Sequence, residues 1–149
     1  MTEREYMQLA LSLAEQAAEE GEVPVGAVLV KDGTVIATGR NRRETGKNAL
    51  AHAELEAING ACACLGGWRL SGCTLYVTLE PCPMCAGAII NARIDRVVYA
   101  AEDPKAGSCG SLTDLFALPY NHRPEVEKGL MEEESRVLLK GFFRRLRMK

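Results

Sequence analysis

The sequence predicts an α/β fold, a three-layer αβα sandwich around a mixed five-stranded sheet. Two observations predict it: segments of helical periodicity alternate with short apolar segments of strand length, and a tight turn joins the first two strands. The alternation favours parallel strands, whereas the tight turn requires an antiparallel pair, so the sheet should be mixed. With 149 residues, 47% of them apolar, the chain can bury one core, and we expect a single domain at 1–149.

The first helix is marked at both ends. Thr2 and Glu5 have the spacing of a capping box, in which each side chain satisfies a backbone N–H at the helix start. Gly21 is placed to end the helix. Between them, small and apolar residues recur at helical spacing: Leu9, Ala10, Leu13, Ala14, Ala17 and Ala18.

A β-hairpin follows the first helix. Residues 25–30 form a short apolar strand, and residues 35–41 form the returning strand. Asp32 and Gly33 between them can adopt the positive φ angles that a tight turn requires. A polar loop at 42–48 then leads to the second helix.

The remaining elements alternate between helix and strand. Gly60 weakens the second helix, and Pro83 lies in the first turn of the third, where its missing N–H costs little. We expect a helix at 51–64, a strand at 74–78, a helix at 83–92, a strand at 96–100, a short helix at 112–117, a strand at 125–128 and a helix at 131–147.

Charge is distributed unevenly along the chain. The net charge of −2 does not by itself indicate a nucleic-acid partner, and residues 2–22 are acidic. The C-terminal segment is basic, with Arg136, Lys140, Arg144, Arg145, Arg147 and Lys149. Such a tail could contact phosphate, although charge alone favours a solvated helix face.

No secretory signal or membrane segment is expected. The polar start lacks an apolar core, and the longest apolar run, residues 23–30, is far too short to span a bilayer. We therefore expect a cytoplasmic protein without a membrane partner. In that compartment the six cysteines should be reduced, so they are core, metal-binding or catalytic residues rather than a disulfide framework.

Two short motifs carry the chemistry, His52-Ala53-Glu54 and Pro81-Cys82-Pro83-Met84-Cys85. Cys82 and Cys85 are one helical turn apart, and a helix N-terminus favours their thiolate forms. With His52 they form a ligand set that suits Zn²⁺. Because the chain has only one other histidine, His122, a closed four-ligand site is hard to assemble, and the fourth position should stay open to water.

Glu54 lies two residues after His52, beside the expected metal-bound water. Zinc can lower the pKa of a bound water from ~15.7 to roughly 7, and a nearby carboxylate can then move its proton. A structural zinc site and a redox Cys-x-x-Cys pair are the alternatives, but the two motifs together favour a catalytic zinc. The other four cysteines are interpreted as small core residues: Cys62, Cys64, Cys73 and Cys109.

The chain resembles the cytidine deaminase-like zinc deaminases and, within them, the tRNA adenosine deaminase family. The resemblance extends over nearly the whole chain, on residues 24–28, 39–41, 51–54, 79–88, 107–112 and 121–123. It implies a cytidine deaminase-like fold, one Zn²⁺ per chain and a homodimer. The reaction it implies is deamination of adenosine to inosine at the wobble position of a tRNA anticodon stem-loop.

The resemblance also implies roles for individual residues. Glu54 would deprotonate the zinc-activated water that attacks C6 and then protonate N1 and the leaving amine. Asn41 and Asp103 would contact the base, although Asn41 without the resemblance is more typical of a turn residue. Asn121, His122 and Arg123 would contact RNA, unless they form only a polar turn. The basic C-terminus would hold the RNA backbone through Arg144, Arg145 and Arg147.

Two other functions remain open. The same zinc chemistry could act on a free nucleobase or nucleoside such as guanine or cytosine, which needs no basic RNA surface. A non-catalytic, zinc-stabilised RNA-binding protein is a second alternative, in which Glu54 could be lost without consequence.

Overall fold

A computed structural model describes residues 1–148; Lys149, the last residue of the predicted basic segment, lies outside the described residues. The α-helices span Glu3–Glu19 (α1), Ala53–Leu65 (α2), Pro83–Ala92 (α3) and Glu132–Arg147 (α4). The β-strands span Gly26–Lys31 (β1), Thr34–Arg40 (β2), Cys73–Leu79 (β3), Arg96–Ala101 (β4) and Glu125–Lys128 (β5). Each predicted helix and strand is present with shifts of a few residues, apart from the short helix discussed below.

The five strands form one mixed sheet in the order β2-β1-β3-β4-β5. β1 is antiparallel to both β2 and β3, while β3, β4 and β5 run parallel to one another. The predicted mixed five-stranded sheet is therefore confirmed. Because β3 and β4 are parallel, the segments that leave their C-terminal ends, at Glu80 and Glu102, begin at the same edge of the sheet.

Helices cover both faces of the sheet, as the three-layer prediction requires. On β1, Ala27 and Leu29 belong to the core that includes side chains of α2 and α3. The alternate residues Val28 and Val30 pack with side chains of α1. Since successive side chains of a strand point to opposite faces, one strand contributes to both halves of the core.

The first helix begins as its sequence predicts. The Glu5 backbone N–H donates to Thr2 Oγ1 at 3.2 Å, and the Thr2 N–H donates to Glu5 Oε1 at 3.1 Å. This confirms the capping box. Within residues 1–148, no helix is both long enough and apolar enough to cross a membrane.

The predicted helix at 112–117 is wrong in type and length. A single 3₁₀ turn at Leu115–Ala117 takes its place, and Asp114 caps it by accepting from the Phe116 N–H at 3.1 Å. The turn ends at Leu118, which has ψ 153°, because the residue before a proline avoids the helical region.

The interpretation of the remaining cysteines as core residues is correct for Cys73 and Cys109, which are buried. Cys62 is half-buried, and Cys64 is exposed. The interpretation is wrong for Cys64 because the last turn of α2, unlike Ala61 before it, is left exposed.

Candidate active site and metal centre

Two helix N-termini meet at the site. His52 is the N-cap of α2, and Cys82 is the N-cap of α3, with Pro83 directly after it. Neither N-cap side chain makes a capping hydrogen bond to its own helix. Close packing holds α2 in place, because a Cβ added at Gly39 of β2 would collide with the Ala53 carbonyl oxygen.

His52, Cys82 and Cys85 form a compact cluster whose ligand atoms all lie within 4.8 Å of one another. The His52 Nδ1 is 3.6 Å from the sulfur of Cys82 and 3.6 Å from that of Cys85. A tetrahedral zinc with Zn–S of about 2.3 Å and Zn–N of about 2.0–2.1 Å requires an S···N edge of about 3.5–3.6 Å. The cluster therefore fits a tetrahedral metal with three protein ligands.

The two thiols are electrostatically unequal. Hydrogen bonding from Cys85, together with the neighbouring His52, lowers the pKa of Cys82 to about 4. The interaction with Cys82 and burial raise the pKa of the Cys85 thiol above its usual value. The pair thus gives up one proton readily and holds the second, and a bound cation would favour loss of both.

Glu54 lies in the first turn of α2 and is only 4% exposed. Burial raises the pKa of its carboxyl to about 7, the charge of Cys82 adds to the rise, and the charge of His52 opposes it. A carboxyl with such a pKa can both accept and donate a proton near neutral pH. Beside a metal with an open position, it is placed for acid–base work on a metal-activated water.

A small pocket of about 190 Å³ opens onto this cluster. His52, Glu54 and Cys82 line it, and Asn41 and Asp103 are among the other lining residues. Pockets for drug-sized ligands usually measure about 300–1,000 Å³, so this one has room for a flat base rather than a whole nucleotide.

Known proteins match this chain over nearly its whole length. The model of the MafB19-like deaminase family matches residues 1–147. The chain belongs to the MafB19-like deaminase family. It is also 52% identical over 151 residues to the tRNA-specific adenosine deaminase of Bacillus subtilis (strain 168), a match that covers 100% of this chain and 94% of that relative.

Solved structures agree with the family and the fold. A structure from studies of A-to-I editing by tRNA:A34 deaminases at the wobble position of transfer RNA superposes with a TM-score of 0.89 at 51% identity. That match covers 91% of this chain and 99% of the other. The guanine deaminase of Bacillus subtilis is 38% identical, with a TM-score of 0.67, over 100% of this chain and 96% of that one. The deaminase fold thus serves relatives with different substrates.

In this family member, Asn41 and Asp103 both line the pocket beside the metal cluster. Asn41 is buried, its Nδ2 donates to the Val23 carbonyl at 3.1 Å, and its Oδ1 accepts from the Arg43 N–H at 3.2 Å. Asp103 Oδ1 accepts from the backbone N–H groups of Lys105 and Ala106 at 3.0 and 3.3 Å. Both residues therefore also hold the loops that carry them.

The predicted RNA-contacting loop, residues 121–123, does not line the pocket. His122 Nε2 is 2.7 Å from the carbonyl oxygen of Ile94, which precedes β4, whereas Asp103 follows β4. A six-residue strand is roughly 20 Å long, so residues 121–123 lie far along the sheet from the pocket. Asn121 and Arg123 are exposed.

The basic residues of α4 lie closer to the pocket. Arg144 and Arg147 line a groove of about 710 Å³, together with Lys105, Lys140 and Phe143. This groove adjoins the pocket, since Asp103 lines both. Arg145 is exposed on the same helix but does not line the groove.

Sequence reasoning missed two buried carboxylates that hold the walls of the pocket. Glu22 is fully buried and accepts from the N–H groups of Glu44 and Thr45 at 3.0 and 2.6 Å. Glu80 is 2% exposed and accepts from the loop that carries Asp103. Their partners are some 20 or more residues away along the chain, so no local spacing reveals them. Arg43, which also lines the pocket, was missed because it resembles any loop arginine.

Proposed function

We propose that this chain hydrolyses adenosine to inosine at the wobble position of a tRNA anticodon and releases ammonia. The observation that carries the proposal is the buried Glu54 carboxyl beside the cluster of His52, Cys82 and Cys85. The substrate is supported by the 52% identity, across the whole chain, to a relative named tRNA-specific adenosine deaminase.

Zinc is the metal we propose, with one ion per chain held by His52 and by the thiolates of Cys82 and Cys85. Two sulfurs and one imidazole nitrogen at tetrahedral edge distances support this assignment. When bound, zinc supplies a Lewis acid that lowers the pKa of water to roughly 7.

Glu54 is the proposed proton carrier. Its carboxylate takes a proton from the attacking water and delivers it to N1 of the purine as the water oxygen bonds to C6. Glu54 then takes the second water proton to the amino group, the C6–N bond breaks, and ammonia leaves. The carboxylate is regenerated, and a pKa of about 7 suits both transfers.

The walls of the pocket orient the base in this proposal. Asn41 and Asp103 line the pocket from two different loops, and each side chain retains hydrogen-bonding capacity for a base edge. The target base must leave its stack to enter the pocket, which is least costly in the single-stranded loop of an anticodon.

The RNA on either side of the target base runs, we propose, along the groove beside α4. Lys105, Lys140, Arg144 and Arg147 offer positive charge there, and Phe143 offers an aromatic face for stacking. Arg145 extends this basic surface along the helix. Asn121, His122 and Arg123 remain proposed contacts, made to parts of the RNA that lie outside the pocket.

A homodimer in the cytoplasm is proposed as the working form. Leu50, Leu65 and Trp68 are exposed apolar residues, and Leu50 and Trp68 line a groove of about 530 Å³ between α2 and α3. Burial of this face by a second copy would remove apolar surface from water. Trp68→Glu should then shift the sedimentation coefficient from dimer to monomer, and an unchanged dimer would exclude this face.

The proposed function is tested by ammonia release and inosine formation from an arginine-tRNA anticodon stem-loop, beside free adenosine, guanine and cytosine. Inosine from the stem-loop alone would support the proposal. Ammonia from guanine or cytosine instead would indicate a free-base deaminase, the alternative that the guanine deaminase neighbour represents. No turnover of any substrate by the zinc-loaded chain would favour a non-catalytic role.

A further inference from the structure

Glu80 is a buried carboxylate whose hydrogen bonds are all made to one loop. Its Oε1 accepts from the Asp103 backbone N–H at 3.0 Å and from the Ser111 hydroxyl. Its Oε2 accepts from the backbone N–H groups of Cys109 and Ser111 at 3.0 and 3.1 Å. Residues 103–111 are called the Asp103 loop below, and this one side chain holds both of its ends.

The hydrogen bonds decide the charge state of Glu80. Burial raises the pKa of its carboxyl, but the hydrogen bonds from Ser111, Asp103 and Cys109 outweigh burial and hold the pKa below its usual range. Glu80 is therefore an anion at neutral pH, and each N–H donor meets a charged acceptor, the stronger kind of hydrogen bond.

The Asp103 loop is folded tightly around this carboxylate. A Cβ at Gly107 would collide with Glu80 Cδ and with the Asp103 carbonyl oxygen. The Gly107 N–H donates to that same carbonyl at 2.8 Å, and the Ser108 N–H donates to the Pro81 carbonyl at 2.9 Å. The loop thus packs against Glu80 and against Pro81, the residue directly before the metal ligand Cys82.

The Asp103 loop is also a wall of the pocket. Asp103 and Ala106 line the space above the metal cluster, as does Glu80 itself. Since Glu80 is two residues from Cys82, a single side chain connects the metal-binding segment to the opposite wall. The distance between metal and wall determines how a base is held.

We propose that Glu80 is a positioning residue that fixes the Asp103 loop relative to the metal cluster and so determines how tightly the substrate base is bound. This inference rests on the proposed function for its substrate. Glu80 does not move protons in this proposal, because four hydrogen-bond donors already satisfy its charge. It acts by fixing the position of Asp103.

Glu80→Gln tests the proposal with little change of shape. If the amide NH₂ replaces Oε1, the Ser111 hydroxyl can turn to accept, and only the Asp103 N–H loses its acceptor. If the NH₂ replaces Oε2, two backbone N–H groups lose theirs, which costs more. The variant should therefore adopt the first orientation and release the Asp103 end of the loop.

In the zinc-loaded variant we expect KM for the stem-loop to rise roughly tenfold or more, while kcat falls less than about threefold. Zinc should stay at one ion per chain. Amide hydrogen exchange at Asp103 should accelerate, while the amides of Cys109 and Ser111 stay protected. An unchanged KM with a released Asp103 amide, or an equal loss in kcat, would overturn the proposal.

Ser135→Ala is the matched control for a general loss of stability. The buried Ser135 hydroxyl donates to the carbonyl of Thr78, in the strand that precedes Glu80, at 2.6 Å, and among the described residues it makes no hydrogen bond to the Asp103 loop. It should lower the melting temperature without changing KM. Should Glu80→Gln fail to fold, Ser111→Ala at an exposed residue removes one donor and should raise KM in the same direction by roughly twofold.

The assay separates this proposal from the proposed function. All variants are measured on whichever substrate of the panel the unmodified chain turns over. A higher KM for guanine in Glu80→Gln would support the positioning role even though the tRNA substrate had failed. Turnover of the stem-loop with an unchanged KM would leave the proposed function standing and remove the role of Glu80.

Discussion

Glu54 and Glu80 are two buried glutamates of the same pocket with opposite chemistry. Each is two residues from a proposed metal ligand, Glu54 after His52 and Glu80 before Cys82, and each is less than 5% exposed, at 4% and 2%. Yet burial raises the pKa of Glu54 to about 7, while the pKa of Glu80 is lowered. The difference lies in the number of hydrogen-bond donors, since Glu80 accepts from three backbone amides and a hydroxyl.

The number of hydrogen-bond donors thus distinguishes a carboxyl that can exchange protons from a carboxylate that only holds a loop in place. A carboxylate without enough donors is costly to bury as an anion, so it stays ready to exchange a proton. A carboxylate with four donors is held as an anion and can only hold its partners in place. Spacing from a metal ligand does not distinguish the two, and the comparison can be tested directly by mutation.

The largest expected effect is at Glu54. Glu54→Gln removes the group that exchanges protons but keeps its size, so turnover should fall by about 10²–10⁴-fold with zinc still bound. Ammonia release and metal content measure the two quantities. Cys82→Ser is the comparison variant, because it should lose turnover together with the metal.

Two results would contradict this role of Glu54. Turnover within threefold of the unmodified chain would show that another group moves the protons. Loss of zinc in Glu54→Gln would show that the carboxyl supports the metal rather than the reaction.

A smaller effect, of opposite sign at the two sites, is expected on stability. In the metal-free chain, the folded pKa of Glu54 lies above its ordinary value of 4.5, so its contribution to stability is lost as pH rises through about 7. Glu54→Gln should therefore stabilise the metal-free chain at pH 8, on the order of 1–3 kcal/mol. At Glu80 the folded pKa is lowered, so its contribution is present above the unfolded pKa and is lost as pH falls.

Glu80→Gln should accordingly destabilise the metal-free chain at pH 8, by about 1–3 kcal/mol, because a backbone N–H is left without an acceptor. Urea unfolding of both variants and of the unmodified chain, at pH 5 and pH 8, measures the difference. Relative to the unmodified chain, Glu54→Gln should become more stable as the pH rises from 5 to 8. Destabilisation by both variants at pH 8 would remove the distinction between the two carboxylates.

The same distinction explains what the sequence could and could not predict. The metal cluster and Glu54 were predictable because they lie in two short motifs, one at the start of α2 and one at the start of α3, each made of residues close together along the chain. The helices, strands and layers were predictable from caps, turns and periodicity. Glu80 was not, because its donors come from Asp103, Cys109 and Ser111, which the fold brings to it from more than 20 residues away.

The conformations of the loops could not be predicted from the sequence for the same reason. The amide of Asn41 holds the Val23 carbonyl and the Arg43 N–H, contacts that depend on the packing of β2 beside the N-terminal segment. The position of His122 is fixed by the Ile94 carbonyl across the chain. Long-range contacts of this kind follow from the tertiary fold and leave no mark in local spacing.

The smallest expected effects are at the arginines of α4. Here Arg144 and Arg147, which line the groove beside the pocket, are compared with arginines of the same helix that lie outside it. Each phosphate contact contributes about 0.7–0.9 to the slope of log affinity against log salt. The double variant with Arg144→Glu and Arg147→Glu should therefore reduce the magnitude of that slope for the stem-loop by roughly 1.5 and weaken binding at low salt. Filter binding at several salt concentrations measures both.

Arg136→Glu is the matched control, because Arg136 lies on the same helix and is paired with Glu132 at 3.0 Å. Its slope should stay close to that of the unmodified chain. Arg145 lies outside the groove, so the effect of Arg145→Glu locates the RNA. A slope change about half that of the double variant would place the RNA around the exposed side of α4, whereas no change would confine it to the groove that leads from Asp103.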